Sequence, residues 1–128
     1  MTFRTTAPFP LVLLALATFL RAQDSDVRQA EISIQEAIQA GDLSSASRLV
    51  GHALEQHPGE GGLWNLRGIV HARRNEVPEA RKDFAAAVRL APRLLPAWQN
   101  LARACQLDAE NGPARHHVDW PCSQLFRL

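Results

Sequence analysis

At 128 residues the chain can hold one modest domain, and 46% hydrophobic against 21% charged residues excludes a wholly disordered polypeptide. A formal charge of +1 excludes the strong electrostatic attraction to nucleic acid or anionic lipid that a basic protein exerts. Two cysteines, Cys105 and Cys122, are too few for a disulfide framework, so packing must hold the fold.

The first segment differs from the rest. Arg4 gives a short basic start, residues 10–20 are apolar except for Thr18, and Ala22 precedes a polar stretch with Asp24 and Asp26. That order reads as a secretory signal peptide over residues 1–22, leaving a domain over 23–128 that starts at Gln23. The alternative is a membrane anchor over residues 10–20, but a spanning helix needs roughly 20 apolar residues. Membrane association is therefore expected only if the segment stays uncleaved. The expected location is outside the cytoplasm, secreted or periplasmic, and export permits a disulfide. Residues 1–22 hold Arg4 and Arg21 and no acid, so their removal takes the formal charge from +1 to −1.

Next come helix patterns separated by breakers. Residues 30–40 predict a helix, Gly41 a turn, Asp42 an N-cap, and residues 43–56 a second helix that ends before Pro58. Residues 62–74 carry good helix formers with apolar Leu63, Leu66, Ile69 and Val70. Residues 75–77 turn the chain, and Pro78 suits the first turn of the next helix, where its missing N–H costs nothing. Ala80, Phe84, Ala87, Val88 and Leu90 then form one apolar stripe, which Pro92 ends. A third pattern starts with Trp98, Leu101 and Ala102 and decays. Pro121 should break its second helix, and no polar capping helix follows.

Sliding the chain against itself shows why the plan recurs. Trp64 and Trp98 lie 34 residues apart, and the same offset joins Ala46, Ala80 and Ala114, then Val50, Phe84 and Val118, then Ala53 and Ala87, then Pro58 and Pro92. Gly68 and Ala102 align, with Ile34 in that place in the first unit, and Ala37, His71 and Cys105 form a further set. The units are residues 27–60, 61–94 and a degenerate or truncated 95–128. A small residue at 68 facing Ala80 would let two helices approach closely, with Trp64 and Phe84 filling the space between successive helices.

Trp64, Gly68, Ala80, Phe84, Ala87 and Pro92 together resemble the tetratricopeptide repeat family, whose pattern is an early Trp, Leu, Gly and Tyr, then Ala, an aromatic, Ala and a closing Pro. His71 stands for the usual Tyr and Arg67 for the usual Leu, with Leu66 adjacent. The resemblance implies an all-α fold, a short right-handed superhelical array of antiparallel helix hairpins. It also implies a non-catalytic scaffold that binds a peptide or protein in the groove lined by the first helix of each unit. Carried over to this chain, the groove is Glu31, Gln35 and Ile38 from the first unit, Asn65, Ile69, Ala72 and Arg73 from the second, and Gln99, Arg103 and Gln106 from the third. One subset of the family clamps a C-terminal carboxylate with Lys and Asn in the first unit; Glu31 and Gln35 stand there instead.

No Gly-rich phosphate loop, nucleophile elbow or Cys-x-x-Cys pair is present, so neither an enzyme nor a cofactor is expected. His116, His117, Asp119 and Cys122 are metal-ligand types, and a metal-binding tail is a minor alternative. Adjacent histidines point to different sides of a helix, which spaces them poorly for one ion. Cys105 is expected as a buried thiol. In a hairpin turning near Glu110 and Asn111 it would face His116, leaving Cys122 roughly 9 Å along the axis, beyond the roughly 7 Å between Cα atoms that a disulfide spans; a break at Pro121 would relax this, so the pairing of Cys105 with Cys122 stays open. The expected partner is another polypeptide, with self-association through the apolar C-terminal end. The alternative role is a structural or oligomerisation segment, or a fragment, of a larger envelope repeat protein.

Overall fold

The computed structural model describes residues 9–111 and 122–125, and these are helical, with no strand among them. In chain order the helices are α1 (Phe9–Gln39), α2 (Leu43–Gln56), α3 (Gly61–Arg73), α4 (Val77–Leu90), α5 (Leu95–Asn111) and α6 (Cys122–Leu125). Four of the expected helices are present, and α2 has the bounds that its caps predict.

The turns explain those bounds. Gly41 adopts a positive φ of 77°, open to a residue without a Cβ, and Asp42 then caps α2 by accepting from Ser45 N–H at 3.0 Å. One unit later Asn75 takes the same conformation at φ 63°, and Pro78 sits in the first turn of α4. The third unit has Ala109 at this place, which resists positive φ, and α5 runs on to Asn111. At the other end α1 starts well before residue 30, because nothing between Pro10 and Gly41 breaks a helix. The cut expected after Ala22 therefore falls inside α1. Val12, Leu13, Leu14, Leu16, Phe19 and Leu20 are exposed along its first part. No described helix is long and apolar enough to cross a membrane.

The 34-residue offset recurs in the hydrogen bonds. His57 N–H donates to Ala53 O and Ala91 N–H to Ala87 O, each at 2.8 Å. Glu60 N–H to His57 O is matched by Leu94 N–H to Ala91 O, and Asp42 N–H to Ala37 O by Glu76 N–H to His71 O. The indole N–H of Trp64 donates to Pro58 O at 2.8 Å, and that of Trp98 to Pro92 O at 2.9 Å. Each ring is half-buried and closes the loop before its own helix. Trp64 is thus a packed clasp rather than the fully buried wedge that its place in the pattern suggests.

Consecutive helices pack on one another, and α1 also touches α3, as α3 touches α5; α2 and α4 do not meet among the described residues. The core falls into two clusters. One holds Ile34, Ile38, Ala46, Val50, Ala53, Leu54, Leu63, Leu66 and Val70 from α1 to α3. The other holds Ala80, Phe84, Ala87, Val88, Ala97, Leu101, Ala104, Cys105 and Cys122 from α4 to α6. Trp64 and Ile69 pack against both. Gly68 meets the ring of Phe84, not a small residue: a Cβ there would lie 2.5 Å from Phe84 Cε1. The first unit meets the same demand with Ile34 and Val50, both wholly buried. Ala102, the third residue of this aligned set, is exposed.

Cys105 and Cys122 form a disulfide with Cα atoms 5.8 Å apart, which overturns the expected buried thiol. The objection to pairing assumed a turn near Glu110.

Candidate functional site

Two surfaces carry polar side chains in organised positions. The first is the face shared by α1, α3 and α5, where the expected groove lies. Gln35, Arg73, Gln99 and Arg103 are exposed on these helices, and Ala72 and Gln106 are exposed beside them. Gln106 donates its amide to Glu110 at 3.0 Å. Ile69 is half-buried against both core clusters, and Ile38 belongs to the core rather than to a binding surface. Asn65 is also buried, and its side-chain oxygen accepts from Asn100 Nδ2 at 2.9 Å. A buried amide without a partner would cost about 1–3 kcal/mol, so this bond between α3 and α5 fixes their register. Asn65 thus spends its acceptor inside the protein, and Asn100, one residue beyond Gln99, completes a pair that the repeat offset does not reveal.

Glu31 is half-buried on α1 beside the start of α3, where its carboxylate occupies the place that a Cβ on Gly62 would take. Burial pushes its carboxyl above the ordinary value, and the nearby charge of Glu60 adds to the rise. Glu31 is therefore the groove residue whose charge the fold tolerates least.

The second surface is a cleft of about 660 Å³ on the α3–α4 hairpin, lined among others by Pro58, Trp64, Arg67, His71, Lys82 and Leu90. Arg67 grips the buried carboxylate of Asp83 with two hydrogen bonds, Nε to Oδ2 at 2.9 Å and Nη2 to Oδ1 at 2.6 Å. Its guanidinium also stacks over the Trp64 ring at 4.4 Å from the centroid. The bonds to Asp83 raise the Arg67 pKa further, outweighing the opposing effect of desolvation. His71 donates from Nδ1 to Glu76, with Nε2 3.6 Å from Asp83 Oδ2.

Sequence reasoning missed this cluster, yet its signal was present. Arg67 and His71 are the two places where the middle unit departs from the repeat pattern, and Asp83 is the acid that they share. The aligned residues are Ser33 and Ala37 in the first unit and Leu101 and Cys105 in the third, so neither other unit can build it. Chemically the cluster is a bidentate ion pair with an imidazole beside its carboxylate.

Among the described residues no group of three or more His, Cys, Asp or Glu side chains could hold a metal ion. His116, His117 and Asp119, named above as a ligand set, lie outside the described residues. Cys122, their fourth member, has its sulfur committed to Cys105. No protein-family model, curated protein or solved structure matches the chain.

Proposed function

We propose that the chain is an exported helical-repeat module of the tetratricopeptide type, a right-handed array of hairpins that binds another polypeptide on the α1–α3–α5 face and catalyses no reaction. The observation that carries this reading is the contact pattern. The first helices of successive units touch one another while α2 and α4 stay apart among the described residues, which supports an array whose odd-numbered helices line one side. The recurrence of turns, caps and indole hydrogen bonds at 34 residues supports the repeat type.

A mixed surface of amides, Ile69 and two arginines suits an extended segment recognised through backbone amides and acidic side chains. The direct test is an array of extended peptides of varied charge, probed with residues 23–128. Binding should favour acidic peptides and be lost in Arg73→Glu and Arg103→Glu, while Lys82→Glu in the cleft leaves it intact. Binding that survives both arginine reversals, or that Lys82→Glu abolishes, rejects this face. N-terminal sequencing of exported protein should read from Gln23; intact Met1 in a membrane fraction would reject the cleaved form.

A further inference from the structure

We propose that the Cys105–Cys122 disulfide is a redox latch: it holds α6 against the end of the helical stack, and α6 leaves when the bond is reduced. Helix α6 has four residues, too few to persist through its own hydrogen bonds, and among the described residues α5 is the one helix whose backbone lies close to it. Even so, Cys122 is only 7% exposed and lies in the cluster with Phe84, Leu101 and Ala104. The covalent bond ties this buried residue directly to α5.

The rest of the cluster does not depend on the bond. Phe84, Ala87, Ala97 and Leu101 pack α4 on α5 directly, and Arg81 Nη1 holds Asp108 Oδ2 at 3.1 Å across the same two helices. Reduction should therefore open the end locally. What it uncovers is the end of the cluster to which Cys122 belongs, where Ala104 and Cys105 are short side chains that admit close approach of another helix.

The chemistry is thiol–disulfide exchange. A thiolate of a dithiol reductant attacks one sulfur to give a mixed disulfide. Its second thiol then displaces the protein sulfur, leaving Cys105 and Cys122 as thiols and the reductant as a cyclic disulfide. An oxidant of the disulfide class reverses the step with the same balance. A chain in a reducing compartment thus carries an open end, and one in an oxidising compartment a closed end. This proposal is independent of the polypeptide-binding reading.

Amide exchange of the full chain, with and without dithiothreitol, tests it. On reduction, residues 122–125 should lose protection and the last two turns of α5 should exchange roughly a hundredfold faster, the scale expected for a cross-link closing a loop of this length. Helices α2 and α3 should keep their rates. Under oxidising conditions the Cys105→Ala/Cys122→Ala variant should match the reduced protein and ignore the reductant. Unchanged exchange in α5 on reduction, loss of protection throughout the chain, or a double variant that keeps α6 protected would each overturn the latch.

Discussion

Alanine at two helix-interior glycines should act in opposite directions. Gly51 lies within α2, and a Cβ there would meet nothing within 4 Å. Gly68 lies within α3, where a Cβ would sit 2.5, 2.7 and 3.1 Å from three atoms of the Phe84 ring. Replacing glycine by alanine in a helix gains about 1 kcal/mol of backbone propensity at either place. At Gly51 that gain stands alone, so Gly51→Ala should stabilise by up to about 1 kcal/mol. At Gly68 the new methyl must displace a ring that is 3% exposed and held by the α4–α5 cluster. Overpacking of a dense core costs about 1–3 kcal/mol, and an overlap with three ring atoms belongs near the upper end. The net for Gly68→Ala is a loss of about 1–2 kcal/mol. Urea unfolding of both variants beside the parent, under oxidising conditions, gives the two differences from the midpoints. Phe84→Leu in the Gly68→Ala background should restore part of the loss by making room. If Gly68→Ala stabilises as much as Gly51→Ala, the ring does not rest on the α3 backbone and the register of this hairpin is wrong.

Arg67→Met should destabilise by about 3 kcal/mol, because it leaves the buried Asp83 carboxylate without its bidentate partner, and Arg67→Met/Asp83→Leu should recover much of that in a double-mutant cycle. Trp64→Ala should cost about 2–3 kcal/mol, below the loss for a fully buried indole, since the ring is half-exposed; a thermal-unfolding loss under about 1 kcal/mol would place it outside the packing. Two carboxyls should move stability in opposite directions with pH. Hydrogen bonds from the backbone and side chain of Ser45 hold the Asp42 carboxyl below its ordinary value of 3.8. The cap's contribution is therefore present above that value and lost as pH falls through the depressed one, and Asp42→Ala should differ from the parent at pH 7 but converge with it in strong acid. Glu31 has the reverse sign: its raised pKa means that ionisation opposes folding, so stability is greatest below the ordinary value of 4.5 and falls as pH rises through the folded value. Glu31→Gln should be slightly more stable than the parent at pH 7, by less than about 1 kcal/mol because the group stays partly in water, and the advantage should vanish near pH 3.

These perturbations separate what the sequence could reveal from what it could not. Local rules were legible: Gly41, Asp42 and Pro58 give the bounds of α2, and Pro78 with Pro92 frames α4, because turns and caps are set by residues adjacent in the chain. The two misjudged helices, α1 and α5, overran where no breaker stood, with Ala109 occupying the place of Gly41 and Asn75. Contacts across helices were less accessible. Asp83 lies 16 residues from Arg67, and Asn100 lies 35 from Asn65, so neither pair follows from periodicity. The Cys105–Cys122 pairing stayed open in the sequence because it joins residues 17 apart and follows from no rule set by adjacent residues. Of the expected groove residues, Gln35, Arg73, Gln99 and Arg103 are exposed, whereas Asn65 and Ile38 are buried, because the helix pattern alone does not tell a groove position from a core one.

The same architectural position is tied differently in each unit, and this bears on how the stack unfolds. Aligned Ala37, His71 and Cys105 sit on the first helix of successive units. In the first, the Ala37 side chain has no polar atom, and apolar packing around Ile34 and Val50 joins the two helices. In the second, His71 joins the Arg67–Asp83 pair, so the hairpin is closed by charge. In the third, Cys105 closes covalently on Cys122. A stack of nearest-neighbour units has a stability that is roughly the sum of unit and interface contributions. Each tie then answers to a different solvent variable. Reduction acts on the α5–α6 end and salt on the α3–α4 ion pair, and neither acts on the α1–α2 hairpin directly; Trp64 and Ile69 are side chains that pack against both core clusters. Coupling between the two halves therefore runs through α3, and weakening Ile69 should make their transitions separate before it lowers either midpoint by much.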